Sequence, residues 1–211
     1  MQIPLFPLPG VVLLPGTTLP LHISEPRYRA MVADALEGDG TIGMAMLRPG
    51  WEESAETPPI FPVGGAGRIV EAEQLPDGRF DIVLGGDFRY RVLEESLPAP
   101  YRVATVKRLV SSPFSSATRA AAVCSEAASL FLELSVAMEL PPLPGAELDA
   151  ERFASELALR LRYDPVELQS LLETDSLPDR FDVLVARMRE WRERIRFLSS
   201  FRRGESGFSR N

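Results

Sequence analysis

The chain has 211 residues, 45% of them hydrophobic and 25% charged, an ordinary globular composition long enough to bury its own core. Its net charge of −7 repels phosphate backbones and argues against general nucleic-acid binding. One cysteine, one histidine and one lysine exclude an internal disulfide, a two-histidine or multi-cysteine metal site, and a GxxxxGK[ST] phosphate loop, since the lone Lys107 follows Val106.

The N-terminal MQIPLFPLPGVVLLPG is apolar but has no positive flank and is broken by Pro4, Pro7, Pro9 and Pro15. It is neither a signal peptide nor a membrane span, and no run of about 18 apolar residues follows. A soluble, cytoplasmic protein with no membrane partner is expected.

In sequence order, Ile3, Leu5 and Leu8 precede a Pro9-Gly10 turn, and Val11–Leu14 forms a short apolar run before Pro15-Gly16. Leu19, Leu21 and Ile23 alternate with Pro20, His22 and Ser24, which is strand period. A helix over about 25–37 follows, with Pro26 at its first position and Tyr28, Met31, Val32 and Ala35 on one face. Within it, Glu25 and Arg29 have the favourable four-residue spacing, and Arg27 has no local partner by that rule. TIGMAML (41–47) is a short strand, and Trp51 to Pro59 a surface loop.

Pro76-Asp77-Gly78 predicts a hairpin turn, and Gly85-Gly86 a bulge or sharp bend between two further strands. On the second of these, Phe88, Tyr90 and Val92 point one way and Arg89 and Arg91 the other. YRVATVKRLV supplies another strand. Short strands with bends suggest a small, strongly coiled barrel-like sheet. The glycines of VGGAGRIV do not fit GxGxxG and lead into a strand.

After about residue 110 the period becomes helical. One helix runs from Ser116 to Met138, ELPPLPGAEL (139–148) breaks it, and Phe153, Leu157 and Leu161 mark a second. Asp164-Pro165-Val166-Glu167 carries the signature of a reciprocal cap. Ser176-Leu177-Pro178-Asp179 opens a last helix to about Phe201, whose arginines read as a solvated face. Cys124 lies in an alanine-rich helical pattern and reads as an inert thiol. His22 reads as a surface or satisfied structural histidine.

PLFPLPGVVLLPGTTLPLHISEPRYRAMVADAL resembles the opening of the N-terminal domain of Lon proteases, with its Pro-Leu-Phe-Pro-Leu strand, Leu-Pro-Gly turn and Glu-Pro-Arg-Tyr helix start. VGGAGRIVEAEQLPDGRFDIVLGGDFRYRV is similar to that family's next block, and ELQSLLETDSLPDRFDVL to its later helices. The resemblance covers residues 2 to 198. It implies an α+β fold: a PUA-like, strongly coiled β-barrel-like subdomain (1–110) with one helix, a helical subdomain (111–203) ending in a long helix, and a flexible tail (204–211).

The resemblance further implies a stand-alone bacterial member without the ATPase and peptidase modules, hence a non-enzymatic protein with no catalytic residues, cofactor or metal. It would bind unfolded or exposed apolar protein segments, as a recognition module or an adaptor beside a protease or chaperone. The candidate peptide-binding residues are Arg27, Tyr28, Phe88 and Tyr90. The alternative is RNA or nucleotide binding by the PUA-like sheet through Arg68, Arg89 and Arg91.

Overall fold

The computed structural model of the protein describes residues 1–53, 57–97, 100–144 and 148–205. Within them lie six strands and five helices: β1 (Gln2–Leu8), β2 (Thr18–Ile23), α1 (Pro26–Glu37), β3 (Thr41–Met46), β4 (Val63–Gln74), β5 (Phe80–Ser96), β6 (Arg102–Leu109), α2 (Ala117–Met138), α3 (Ala150–Arg160), α4 (Pro165–Glu173) and α5 (Leu177–Glu205). The chain forms two compact units. The first joins Met1–Ser111 to Tyr163–Asp175, and the second contains the remainder.

The first unit is built on a closed sheet. β1 pairs in parallel with β3 and antiparallel with β6. β3 pairs with β4, β4 with β5, and β5 with β6, all antiparallel, which completes a five-stranded ring. β2 lies outside the ring on the first half of β5. The expected coiled, barrel-like sheet is thus a closed barrel.

Its alternation divides two cores. Ile3, Leu5, Ala45, Ala66, Phe88, Tyr90, Ala104 and Val106 cluster together from all five ring strands. Ile23, Ile42, Met44, Ile82 and Leu84 cluster instead with Tyr28, Met31, Val32 and Ala35 of α1. β3 serves both cores and is therefore buried on both faces.

β5 runs unbroken for 17 residues, where the sequence suggests two strands. The pairing skips Asp87 between Phe88 and Gly86, Val70 on β4, and Leu93 before the β6 pairing shifts. These are bulges, and they bend the strand instead of ending it. Val70 and Leu93 are exposed because bulged residues leave the ladder.

The glycines of VGGAGRIV have a packing explanation. A β-carbon on Gly65 would lie 1.8 Å from the Leu13 carbonyl oxygen, and on the neighbouring β5, outside that segment, one on Gly86 would lie 2.3 Å from that of Leu14. The apolar run Val11–Leu14 is therefore not a strand but a loop laid directly on the backbone of β4 and β5. Reciprocal hydrogen bonds hold it, from Gly16 N–H to the Gly86 carbonyl and from Gly86 N–H to that of Thr17.

One boundary differs from the expected division at residue 110. α4 belongs to the first unit, although its sequence neighbours are helices of the second. The predicted reciprocal cap is present, with Asp164 accepting from Glu167 N–H and the Glu167 carboxylate accepting from Asp164 N–H, both at 2.9 Å. The face it presents buries Gln169, Leu171 and Leu172, and Gln169 donates to the Val63 carbonyl of β4 at 2.9 Å. The capping signature identified the helix start but carries no information on what the helix packs against.

In the second unit, α2 starts on Ser116, whose hydroxyl accepts from Arg119 N–H. It buries Ala127, Leu130, Phe131 and Leu134, while α5 buries Phe181, Leu184, Val185 and Met188. Phe181 touches the rings of Phe114 and Phe153. The basic stripe of α5 is largely paired: Arg189 with Glu126, Arg192 and Arg196 with Glu133. Such exposed pairs contribute about 0–1 kcal/mol each. α2 is long and apolar enough by composition to cross a membrane, because alanines carry hydropathy without forming an uninterrupted large-residue run. α5 continues to Glu205, two residues into the expected tail, and 206–211 lie outside the described residues.

Candidate functional site

The start of α1 organises a cleft in the first unit. Glu25 is the N-cap residue, but its side chain makes no cap bond. Its carboxylate accepts instead from Arg27, Nε and Nη2 both lying 2.9 Å from Oε2. The same guanidinium sits 4.6 Å from the centre of the Tyr28 ring. The neighbouring Arg29 turns away and donates to the Asp77 carbonyl at the β4–β5 turn. Two expectations are therefore corrected: Arg27 has partners, at i−2 and i+1, and Glu25 pairs with it rather than with Arg29. An N-cap residue leaves the helical path, so the four-residue rule does not govern its side chain.

The cleft encloses about 240 Å³. Arg27 and Tyr28 line it together with Pro7, Trp51, Tyr101 and Arg102. Tyr28 is buried against Phe6, ring centres 4.4 Å apart. Burial pushes its phenol up, with the Arg27 charge pulling the other way, so it remains a protonated donor at neutral pH. Arg102 is buried, donates to the Pro58 carbonyl at 2.7 Å and lies 3.4 Å from Glu95. The Tyr101 hydroxyl donates to Asp34 at 2.5 Å.

Burial, and then the hydrogen bond to Asp34, push the Tyr101 phenol up to about 12. The unfolded phenol ionises near 10. Tyr101 therefore contributes stability that is fully present below about pH 10 and is lost as pH rises through about 12, because the unfolded protein releases its proton first. We expect the urea midpoint to fall between about pH 10 and 12, and to fall less in Tyr101→Phe. Parallel midpoint curves for the two proteins would contradict this.

Of the candidate peptide-binding residues, Arg27 and Tyr28 line the cleft and Phe88 and Tyr90 do not. Phe88 is buried in the barrel core, with Arg108 stacked on it at 4.5 Å. Tyr90 is fully buried and donates to the Met44 carbonyl at 2.9 Å. Both are structural, because the inward face of a small barrel is filled by side chains.

The alternative nucleic-acid set is also broken. Arg68 and Arg91 are exposed, but Arg89 is 1% exposed and donates to the Leu172 carbonyl (2.8 Å), Asp175 (2.9 Å) and the Ser111 hydroxyl (3.3 Å). Alternation placed Arg89 on the outer face correctly; α4 covers that face. A phosphate cannot reach it.

The sequence reading missed Trp51, Tyr101 and Arg102. Trp51 carried a usable signal, a large aromatic at the head of a polar loop. The other two become neighbours of α1 only through the pairing of β6 with β1. Among the described residues no group of three or more His, Cys, Asp or Glu side chains is arranged to hold a metal ion. His22 accepts from Arg79 at Nε2 (3.1 Å) and donates from Nδ1 to Asp81 (2.6 Å), as a satisfied surface histidine does.

Comparison with known proteins places this architecture. Lon protease 2 of Myxococcus xanthus is 27% identical over 198 residues, 90% of this chain and 24% of that protein. The Lon protease of Anaeromyxobacter dehalogenans is 25% identical over 198 residues, 23% of its length. The sequence thus spans about a quarter of the length of the curated relatives it matches. Two solved structures share the fold. A Lon N-terminal domain protein from Xanthomonas campestris has a TM-score of 0.65 at 24% identity, over 88% of this chain and 98% of that one. The N-terminal domain of the Mycobacterium avium complex Lon protease has a TM-score of 0.68 at 17% identity, over 89% and 98%. The profile that matches residues 2–190 is that of a substrate-binding domain, not of a peptidase. The chain belongs to the family of the ATP-dependent protease La (LON) substrate-binding domain.

Proposed function

We propose that this protein recognises segments of other polypeptides through the cleft at the start of α1, as a recognition module for proteolysis or protein quality control. The observation that carries the reading is the cleft itself. Aromatic rings, prolines and two arginines surround a cavity of about 240 Å³ in a protein whose family is a substrate-binding domain. Apolar walls with a few placed polar groups are the usual composition of a ligand site. Rigid rings such as Trp51 and Tyr101 bury area at low entropic cost, which suits capture of an extended apolar segment. The finer form of the reading is an adaptor that hands captured segments to a protease or a chaperone.

The test is binding of fluorescein-labelled unfolded casein, followed by anisotropy. Trp51→Ala removes the largest ring of the wall and is expected to raise Kd about tenfold, the effect of one anchoring aromatic. An unchanged Kd, with circular dichroism showing a folded protein, removes the cleft from the function.

A further inference from the structure

The polar groups of the cleft are mostly donors. Tyr28 is 6% exposed, its ring packed between the Phe6 ring and the Arg27 guanidinium, and its hydroxyl makes no hydrogen bond among the described residues. The hydroxyl itself is not enclosed by protein; it opens onto the cleft, where a ligand can accept from it. Three charges reach this phenol, Arg27 most strongly, then the opposing Glu25, then Arg102, so two of the three are positive. Each arginine has five N–H groups, and Arg102 directs one firmly to Pro58 and another only loosely, at 3.4 Å, to Glu95. Against these donors the lining offers one carboxylate, Glu25, which is 56% exposed on its side chain and free to yield Arg27.

We propose that the cleft selects a carboxylate carried on an apolar peptide, either the C-terminus of a polypeptide or an Asp or Glu side chain. The inference rests on the reading of this cleft as a polypeptide site. The Tyr28 hydroxyl donates to the ligand carboxylate, and Arg27 exchanges Glu25 for it in a forked charge-assisted pair. Arg102 supplies the second positive charge. Trp51, Tyr101 and the prolines hold the apolar residue beside it. The cavity is smaller than the ~300 Å³ at which drug-sized ligand clefts begin, so it takes one or two residues and not a long run.

The probe is the tetrapeptide acetyl-Ala-Leu-Phe-Leu, as the free acid and as the C-terminal amide. The amides acetyl-Ala-Leu-Asp-Leu and acetyl-Ala-Leu-Asn-Leu form the side-chain arm. Binding is read from the emission of Trp51 in a Trp191→Phe background, since these are the two tryptophans of the protein. The free acid is expected to bind about tenfold more tightly than its amide if the C-terminus is the ligand, and the Asp peptide about tenfold more tightly than the Asn peptide if the side chain is. Tyr28→Phe should reduce that preference severalfold and leave Tm unchanged, because the hydroxyl has no partner to lose. A fall in Tm would mark the hydroxyl as structural and overturn the assignment. Acid and amide, and Asp and Asn, binding alike would overturn the carboxylate inference and leave the polypeptide reading standing. No response of Trp51 to any of the four peptides would overturn both.

Discussion

Gly65→Ala should lower the melting temperature by roughly 10 °C. Its β-carbon would lie 1.8 Å from the Leu13 carbonyl oxygen, far inside any tolerated contact. Neither partner can yield easily. Gly65 is fixed in β4 between Met44 and Arg89 on the flanking strands, and Leu13 belongs to a loop clamped at Gly16 and Thr17 to Gly86. Overpacking costs about 1–3 kcal/mol and more where backbone must move, and one kcal/mol shifts Tm by roughly 2–4 °C at this size. The loss should exceed that from most surface changes in the protein. Thermal unfolding followed by circular dichroism decides it, and a shift under about 2 °C would mean that the loop is not seated on β4 as described.

Arg89→Leu is the second large effect, and its location is as specific as its size. The substitution removes donors from the Leu172 carbonyl, Asp175 and Ser111 together. Stranding the buried carbonyl costs about 1–3 kcal/mol. Asp175 is 55% exposed on its side chain and returns to water, so the full penalty of an abandoned buried charge does not apply. A total of ~3 kcal/mol is expected, at the upper end of that range. Because one of the three acceptors lies in the last turn of α4 and another two residues beyond it, amide hydrogen exchange over Pro165–Glu173 should accelerate more than exchange in the barrel. Lysine at the same position should recover only part of the loss, since a point charge cannot serve three acceptors in a fixed fork. Uniform acceleration across the first unit would show that Arg89 supports the barrel rather than α4.

These two residues also mark where sequence reading succeeds and where it stops. Local signals were legible: the Asp164 cap, the Pro76-Asp77-Gly78 turn, whose Gly78 adopts φ 81°, and the alternation that sends Tyr90 inward. Each depends on residues within a few positions of one another. Alternation also gave the correct face for Arg89, but its exposure depends on a helix some 83 residues away. The glycines of VGGAGRIV were visible, and the reason for them was not, because a close approach is a property of two segments. The cleft is the extreme case. Arg27 and Tyr28 sit on a recognisable helix start, while Trp51, Tyr101 and Arg102 reach them only through β1, β3 and β6. Family resemblance carried the architecture across those distances, but it could not separate core aromatics such as Phe88 from cleft aromatics such as Tyr101.

The return of α4 to the first unit has a consequence for how the protein leaves the ribosome. The barrel strands are all synthesised by residue 109, yet Arg89 and the Val63 carbonyl wait for partners at 169–175. Roughly 60 residues separate the two pieces, several seconds of translation at about 5–20 residues per second. Throughout that interval α2 and α3 emerge and the outer face of β4 and β5 lies bare, with an arginine bound for burial still in water. A nascent polypeptide paused before residue 163 therefore carries a barrel that is closed but not finished, and the last strand to be made is not the last step in making it.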